Sequence, residues 1–148
     1  MTNKMNVRRN SGFSIVEVLV ALVVLSVGML GIAGLYVTTL RASGSALYRT
    51  QAVSLASDMA DRIRANPFGR ASYAGAGGDR GCVAGGVDCS AQQMAEDDVF
   101  RWRGQLGVLP SGAGAVALNP GPPDAYVITV SWTEPGGEVV SYNLRMQI

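Results

Sequence analysis

Gly12-Phe13-Ser14-Ile15-Val16-Glu17-Val18-Leu19-Val20-Ala21-Leu22 opens the stretch whose reading decides the fold. Before it lie Lys4, Arg8 and Arg9 with no acid; after it, the 23 residues from Val18 to Leu40 carry no charge. Such a run is long enough for a transmembrane helix, which needs about 20 residues. It is too long for the apolar core of a secretory signal peptide, and the polar-to-apolar step at Gly12 comes before the apolar run rather than after it. The basic residues predict a cytoplasmic N-terminus and a C-terminal portion on the far side of the membrane. Glu17 is the anomaly. A carboxylate at a bilayer centre costs about 2.5–3.5 kcal/mol, less near the boundary, where it can snorkel toward headgroups. The alternative is an intersubunit pair. Helices that bundle away from lipid bring the carboxylate to a neighbour's amino terminus, and the pair then sets axial register.

The residues from Gly12 to Ala21 closely resemble the type IV prepilin processing motif: Gly, then Phe, then Glu four further on, inside an apolar run behind basic residues. The resemblance implies cleavage between Gly12 and Phe13 by a prepilin peptidase and methylation of the new amino group on Phe13. It places Glu17 at the family's carboxylate position, fifth in the mature chain. The continuation from Val18 to Gly31 is similar to minor pilins of the type IV pilus modification kind. Met5 serves as a start as well as Met1. The resemblance further implies as partners other major and minor pilins, an inner-membrane assembly platform, and membrane lipid before assembly. It implies a single-pass inner-membrane protein with a periplasmic head that later joins an extracellular pilus. The expected role is pilus assembly or priming, with tip-associated adhesion or motility. A minor pseudopilin of type II secretion has a very similar leader and is the nearest alternative.

Gly28, Gly31 and Gly34 are three apart, and small residues at helical spacing let another helix approach closely. Major pilins often carry Pro where Gly34 stands.

The net charge of +1 hides a division: residues 1–12 carry +3, while nine Arg and eleven acids give residues 13–148 a charge of −2. A slightly acidic chain does not wrap nucleic acid by bulk charge, so no nucleic-acid partner is expected. Cys82 and Cys89 sit in a Gly-rich stretch. An even count beyond a membrane points to a disulfide; two free thiols or a metal site are the alternatives. No His is present, and the spacing is not Cys-x-x-Cys. No nucleophile–base pair or cofactor loop can be named, so neither an enzyme nor a cofactor is expected. Gly77-Gly78 and Gly85-Gly86 lack the Gly-Lys-Ser/Thr that a phosphate loop needs.

Beyond Leu40 the helical pattern continues with charges. Leu55, Met59 and Ile63 form a stripe, with Leu47 and Ala52 on or near the same face. Asp58 with Arg62, and Asp61 with Arg64, stand at helix-neighbour spacing. Asn66-Pro67 ends the helix. Ser90 and Gln93 predict a capping box, followed by a stripe of Met94, Val99, Trp102 and Leu106. Glu96, Asp97 and Asp98 are consecutive, so they point in different directions and suit the helix dipole better than a metal. A weak strand is expected at residues 113–118. Tyr126, Ile128, Val130 and Trp132 alternate, as do Val140, Tyr142, Leu144, Met146 and Ile148, with a Glu134–Glu138 turn between them.

The expected fold is α+β: a long N-terminal helix packed on a small antiparallel sheet, as in type IV pilins. The expected parts are a leader at 1–12, an apolar helix at 13–40, its amphipathic continuation at 41–65, and a head at 66–148. A head that binds surfaces or DNA through exposed Tyr73, Trp102 or Trp132 is a further alternative.

Overall fold

The computed structural model describes residues 12–84 and 87–147. The basic residues before Gly12, the Gly85-Gly86 pair and Ile148 lie outside the described residues. The chain separates into two compact units, with the boundary between Leu40 and Arg41. Helix α1 (Ile15–Ala65) contributes to both.

In the first unit the Ser14 carbonyl accepts from the amides of Glu17 and Val18, which starts the helix. Its side chains from Phe13 to Leu40 are all exposed, Leu30 at 73% and Leu35 at 69% among them. The most apolar 18-residue window has a mean hydropathy of 2.7, long and apolar enough to cross a membrane. Three hydroxyls here bond their own helix. Ser26 donates to the Val23 carbonyl, and Thr38 and Thr39 donate to the Leu35 carbonyl. Such back-bonding satisfies these three hydroxyl protons without water.

The second unit is a three-stranded antiparallel meander covered on its apolar face. Strands β1 (Ala113–Asn119), β2 (Ala125–Thr133) and β3 (Val139–Gln147) lie in the order β1-β2-β3. The hairpin register pairs Ala125 with Gln147 and Thr133 with Val139. Tyr126, Ile128, Val130 and Trp132 are buried, as the alternation predicts, and Met146 joins them from β3. Residues 134–138 close the hairpin: Gly137 takes a φ of 84°, and its amide donates to the Glu134 carbonyl at 2.8 Å. The first strand runs one residue further than expected, to Asn119, which pairs with Ala125.

Residues 41–65 of α1 present Ala52, Ala56, Met59, Ala60 and Ile63 to this core. The expected stripe is thus correct at Met59 and Ile63, while Leu55 is only partly buried. Leu47 departs from expectation: it is 56% exposed. The burying face is built on alanines, which let the helix backbone come close, and Leu47 lies outside it. Asn66-Pro67 ends α1 as predicted.

Helix α2 (Ala91–Gln105) begins with the predicted capping box. Gln93 N donates to Ser90 Oγ, and Ser90 N donates to Gln93 Oε1. A 3-10 turn (Leu106–Val108) continues it. Ala95, Val99, Trp102 and Leu106 are buried, and Met94 is half-buried. Trp102 is the largest fully buried side chain, and its Nε1 donates to the Leu55 carbonyl at 2.8 Å. Strand β1 crosses this ring at Gly114, where even a Cβ would collide with Trp102 and Leu106.

Candidate functional site

The Gly12–Phe13 peptide bond lies in non-helical backbone just before α1, with both residues exposed. Glu17 follows within the first turn, where the helix dipole favours a carboxylate. Phe13, Glu17, Val18, Ala21, Leu22 and Leu25 line one open face. Their spacing puts Val18, Ala21, Leu22 and Leu25 along a single stripe, with the carboxylate at its start. Glu17 makes no ion pair among the described residues. Nothing in this unit approaches Gly28, Gly31 or Gly34, where a Cβ would meet open space.

In the second unit Cys82 and Cys89 form a disulfide with a Cα–Cα distance of 5.7 Å. The three consecutive acids of α2 do separate work. Glu96 accepts from Arg80, with Nη2 at 2.6 Å. Asp97 is fully buried; its Oδ1 accepts from the amides of Arg80 and Gly81, and its Oδ2 from Arg101 Nε at 2.7 Å. The Arg101 guanidinium holds the Asp97 carboxyl below the usual carboxylate range against the opposing pull of burial, and the two amides help. This carboxylate therefore ties the chain entering Cys82 to α2.

Asp98 faces the other way. Its Oδ1 accepts from Arg62 Nη1 at 3.1 Å and its Oδ2 from the Tyr73 hydroxyl at 2.7 Å. Burial pushes the Tyr73 hydroxyl well above its ordinary value, and the bond to Asp98 adds to that. Arg62 also bonds Asp58 at 3.0 Å. Burial works against the Arg62 charge, but the two carboxylates outweigh it and raise its pKa. Arg64 pairs with Asp61 at 2.8 Å, so both expected helix pairs are present. Among the described residues no cluster of three or more metal-type side chains occurs.

Two expectations need correction or extension. Tyr73 and Trp102 are fully buried and Trp132 is 3% exposed, so none is available for stacking on a base or a surface ligand. Their rings fill a core whose other members include four alanines. The tying role of Asp97 was not anticipated, although its four-residue spacing from Arg101 was a usable signal. A contact between α1 and the hairpin turn was also missed. Ser45 donates to Glu134, and Arg49 lies 3.4 Å from the same carboxylate. These two donors, Ser45 foremost, hold Glu134 below the usual carboxylate range.

Two family models match the chain. Residues 7–33 match the prokaryotic N-terminal methylation motif, and residues 34–100 match type IV pilin Tt1218. No curated protein and no solved structure gives a match. Members of this family are structural subunits rather than enzymes. With a long N-terminal helix on a small antiparallel sheet and two matches running without a gap from residue 7 to residue 100, the chain is similar to type IV pilins that carry an N-terminal methylation motif.

Proposed function

We propose that the chain is a minor pilin of the PilV kind, serving in pilus assembly or priming. A prepilin peptidase hydrolyses the Gly12–Phe13 bond: water supplies hydroxyl to the Gly12 carbonyl and hydrogen to the Phe13 nitrogen. That amine then attacks the methyl carbon of a sulfonium donor, which leaves as a thioether, and the nitrogen gives up a proton. Residues 13–40 hold the subunit in the inner membrane, with its head in the periplasm, until it joins other pilins in the filament. The observation that carries this reading is the wholly exposed apolar surface of residues 13–40, with Glu17 as its single charge. Such a surface requires lipid first and other apolar helices afterwards. In the filament Glu17 meets the new amino terminus of a neighbour, and the pair fixes axial register.

The test is intact mass and N-terminal mapping of the protein from its native membrane, with sheared pili fractionated alongside. A chain beginning at N-methyl-Phe13 and present in pili is expected. The same cut with the protein absent from pili assigns it to type II secretion instead. An uncut chain overturns the processing reading. Glu17→Ala is expected to be cleaved normally yet fall to a small fraction of the wild-type amount in sheared pili. Normal incorporation would remove the register role.

A further inference from the structure

We propose that the outer edge of β3 receives an extended segment of another pilin subunit, which adds a fourth strand to the sheet. The order β1-β2-β3 leaves β3 at an edge, and among the described residues no element pairs with its outer side. β1, at the other edge, packs against the 3-10 turns at Arg70–Ala74 and Leu106–Val108. An open edge presents a row of unpaired amides and carbonyls, and proteins ordinarily blunt it with Pro, charge, bulges or a short strand. β3 has none of these defences beyond one charge. It runs nine residues, contains neither Pro nor Gly, and carries only Arg145. Its pairing with β2 continues without a bulge from Val139 to Gln147.

A groove of about 440 Å³ lies alongside the same edge. Arg49 and Val53 of α1 form one wall, Val140, Ser141 and Tyr142 the other, and Trp132 also lines it. Val140, Tyr142 and Leu144 are only half-buried, so the apolar row of β3 extends beyond its cover. An added strand lies about 4.8 Å away and sends every second side chain to one face. Its main chain would bond the edge while those alternate side chains enter the groove, the division of labour seen in strand addition generally.

Charge selects the occupant. Arg49 is 67% exposed above the groove, in a long 3.4 Å contact with Glu134, and Arg145 is exposed on β3. The entering strand is therefore apolar at alternate positions and carries a carboxylate. A second copy of β3 would bring another Arg145 and no acid, so the partner is a different chain. That it is a pilin rests on the minor pilin reading; the chemistry of the edge does not.

The probe is a nine-residue peptide that alternates valine and threonine, with a central valine replaced by glutamate, so that the carboxylate lies on the groove face toward Arg49. Hydrogen exchange is followed on the full chain in detergent micelles. Amides of residues 139–147 are expected to exchange at least about tenfold more slowly with the peptide bound. Lysine in place of the glutamate should weaken this protection, and backbone N-methylation at alternate residues should abolish it. Unchanged exchange in β3, equal protection by the N-methylated peptide, or protection that rises with protein concentration alone would each overturn the proposal. In cells with the complete pilus system, a photoreactive phenylalanine analogue replacing Ser141 should crosslink to a segment of another pilin. No adduct, or an adduct to a second copy, overturns the assignment of the partner. N-terminal processing is measured separately, so failure at β3 leaves that reading intact.

Discussion

The two units of the chain treat apolar side chains in opposite ways. Residues 13–40 bury none of them, and Ser26, Thr38 and Thr39 turn their hydroxyls back on their own helix. The described residues from 41 to 147 gather many of theirs into one core, with ion pairs around it. The first unit thus leaves its apolar surface open, and the second closes most of its own. A substitution should tell them apart by where its effect is read.

Trp102→Ala tests the second unit most severely. It removes a fully buried ring and the bond to the Leu55 carbonyl, and should cost about 3–5 kcal/mol in denaturant unfolding. A loss below about 1 kcal/mol would mean that the core does not rest on this ring. Replacing Cys82 and Cys89 together by Ser should cost about 2–3 kcal/mol by restoring freedom to the unfolded loop. The loss should equal that produced by reducing the native chain.

Asp97→Asn removes a buried charge from two amides and Arg101, and should cost about 1–3 kcal/mol near neutrality. The pH dependence follows from direction. Because the folded Asp97 carboxyl titrates below its unfolded value of about 3.9, its contribution is complete above about pH 4 and is lost as pH falls toward the folded value. Acid unfolding of Asp97→Asn should therefore be shallower than wild type between pH 4 and pH 2, roughly the range where carboxylates titrate. Tyr73 acts at the other end. Its raised value makes stability complete below about pH 10 and lost above it, and Tyr73→Phe should flatten that alkaline limb. Leu30→Ala, at the other extreme, should change unfolding of the second unit by less than about 0.5 kcal/mol. A larger shift would break the contrast between the units.

The parts of the fold that could be read in advance are those where local chemistry and periodicity agree. β2 alternates over its whole length, Asn66-Pro67 forbids continuation of α1, and Ser90 with Gln93 forms a reciprocal cap. The face of α1 was harder to read. Ala52, Ala56 and Ala60 carry little hydrophobic signal, and their value lies in closeness that only the packed core reveals. The large residue at Leu47 drew attention to the wrong position for the same reason. The acids of α2 were legible as dipole partners but not as ties, because Arg62, Tyr73 and Arg80 are distant in sequence. At the N-terminus the processing motif is contiguous and so visible in a single line. Glu17 makes no ion pair among the described residues, so no pattern within them displays what it faces.

The hydrogen bond from Trp102 to Leu55 has a mechanical consequence. It reaches a carbonyl on the side of α1 rather than at its end, and works like a key seated in a shaft. Sliding the helix by one residue moves that carbonyl about 1.5 Å along the axis and about 100° around it, far beyond the reach of the indole. Axial load on residues 41–65 is thereby delivered to α2 as shear at this bond and at the Arg62–Asp98 pair. Rotation and translation are blocked together, and the helix and its cover bear tension as one piece.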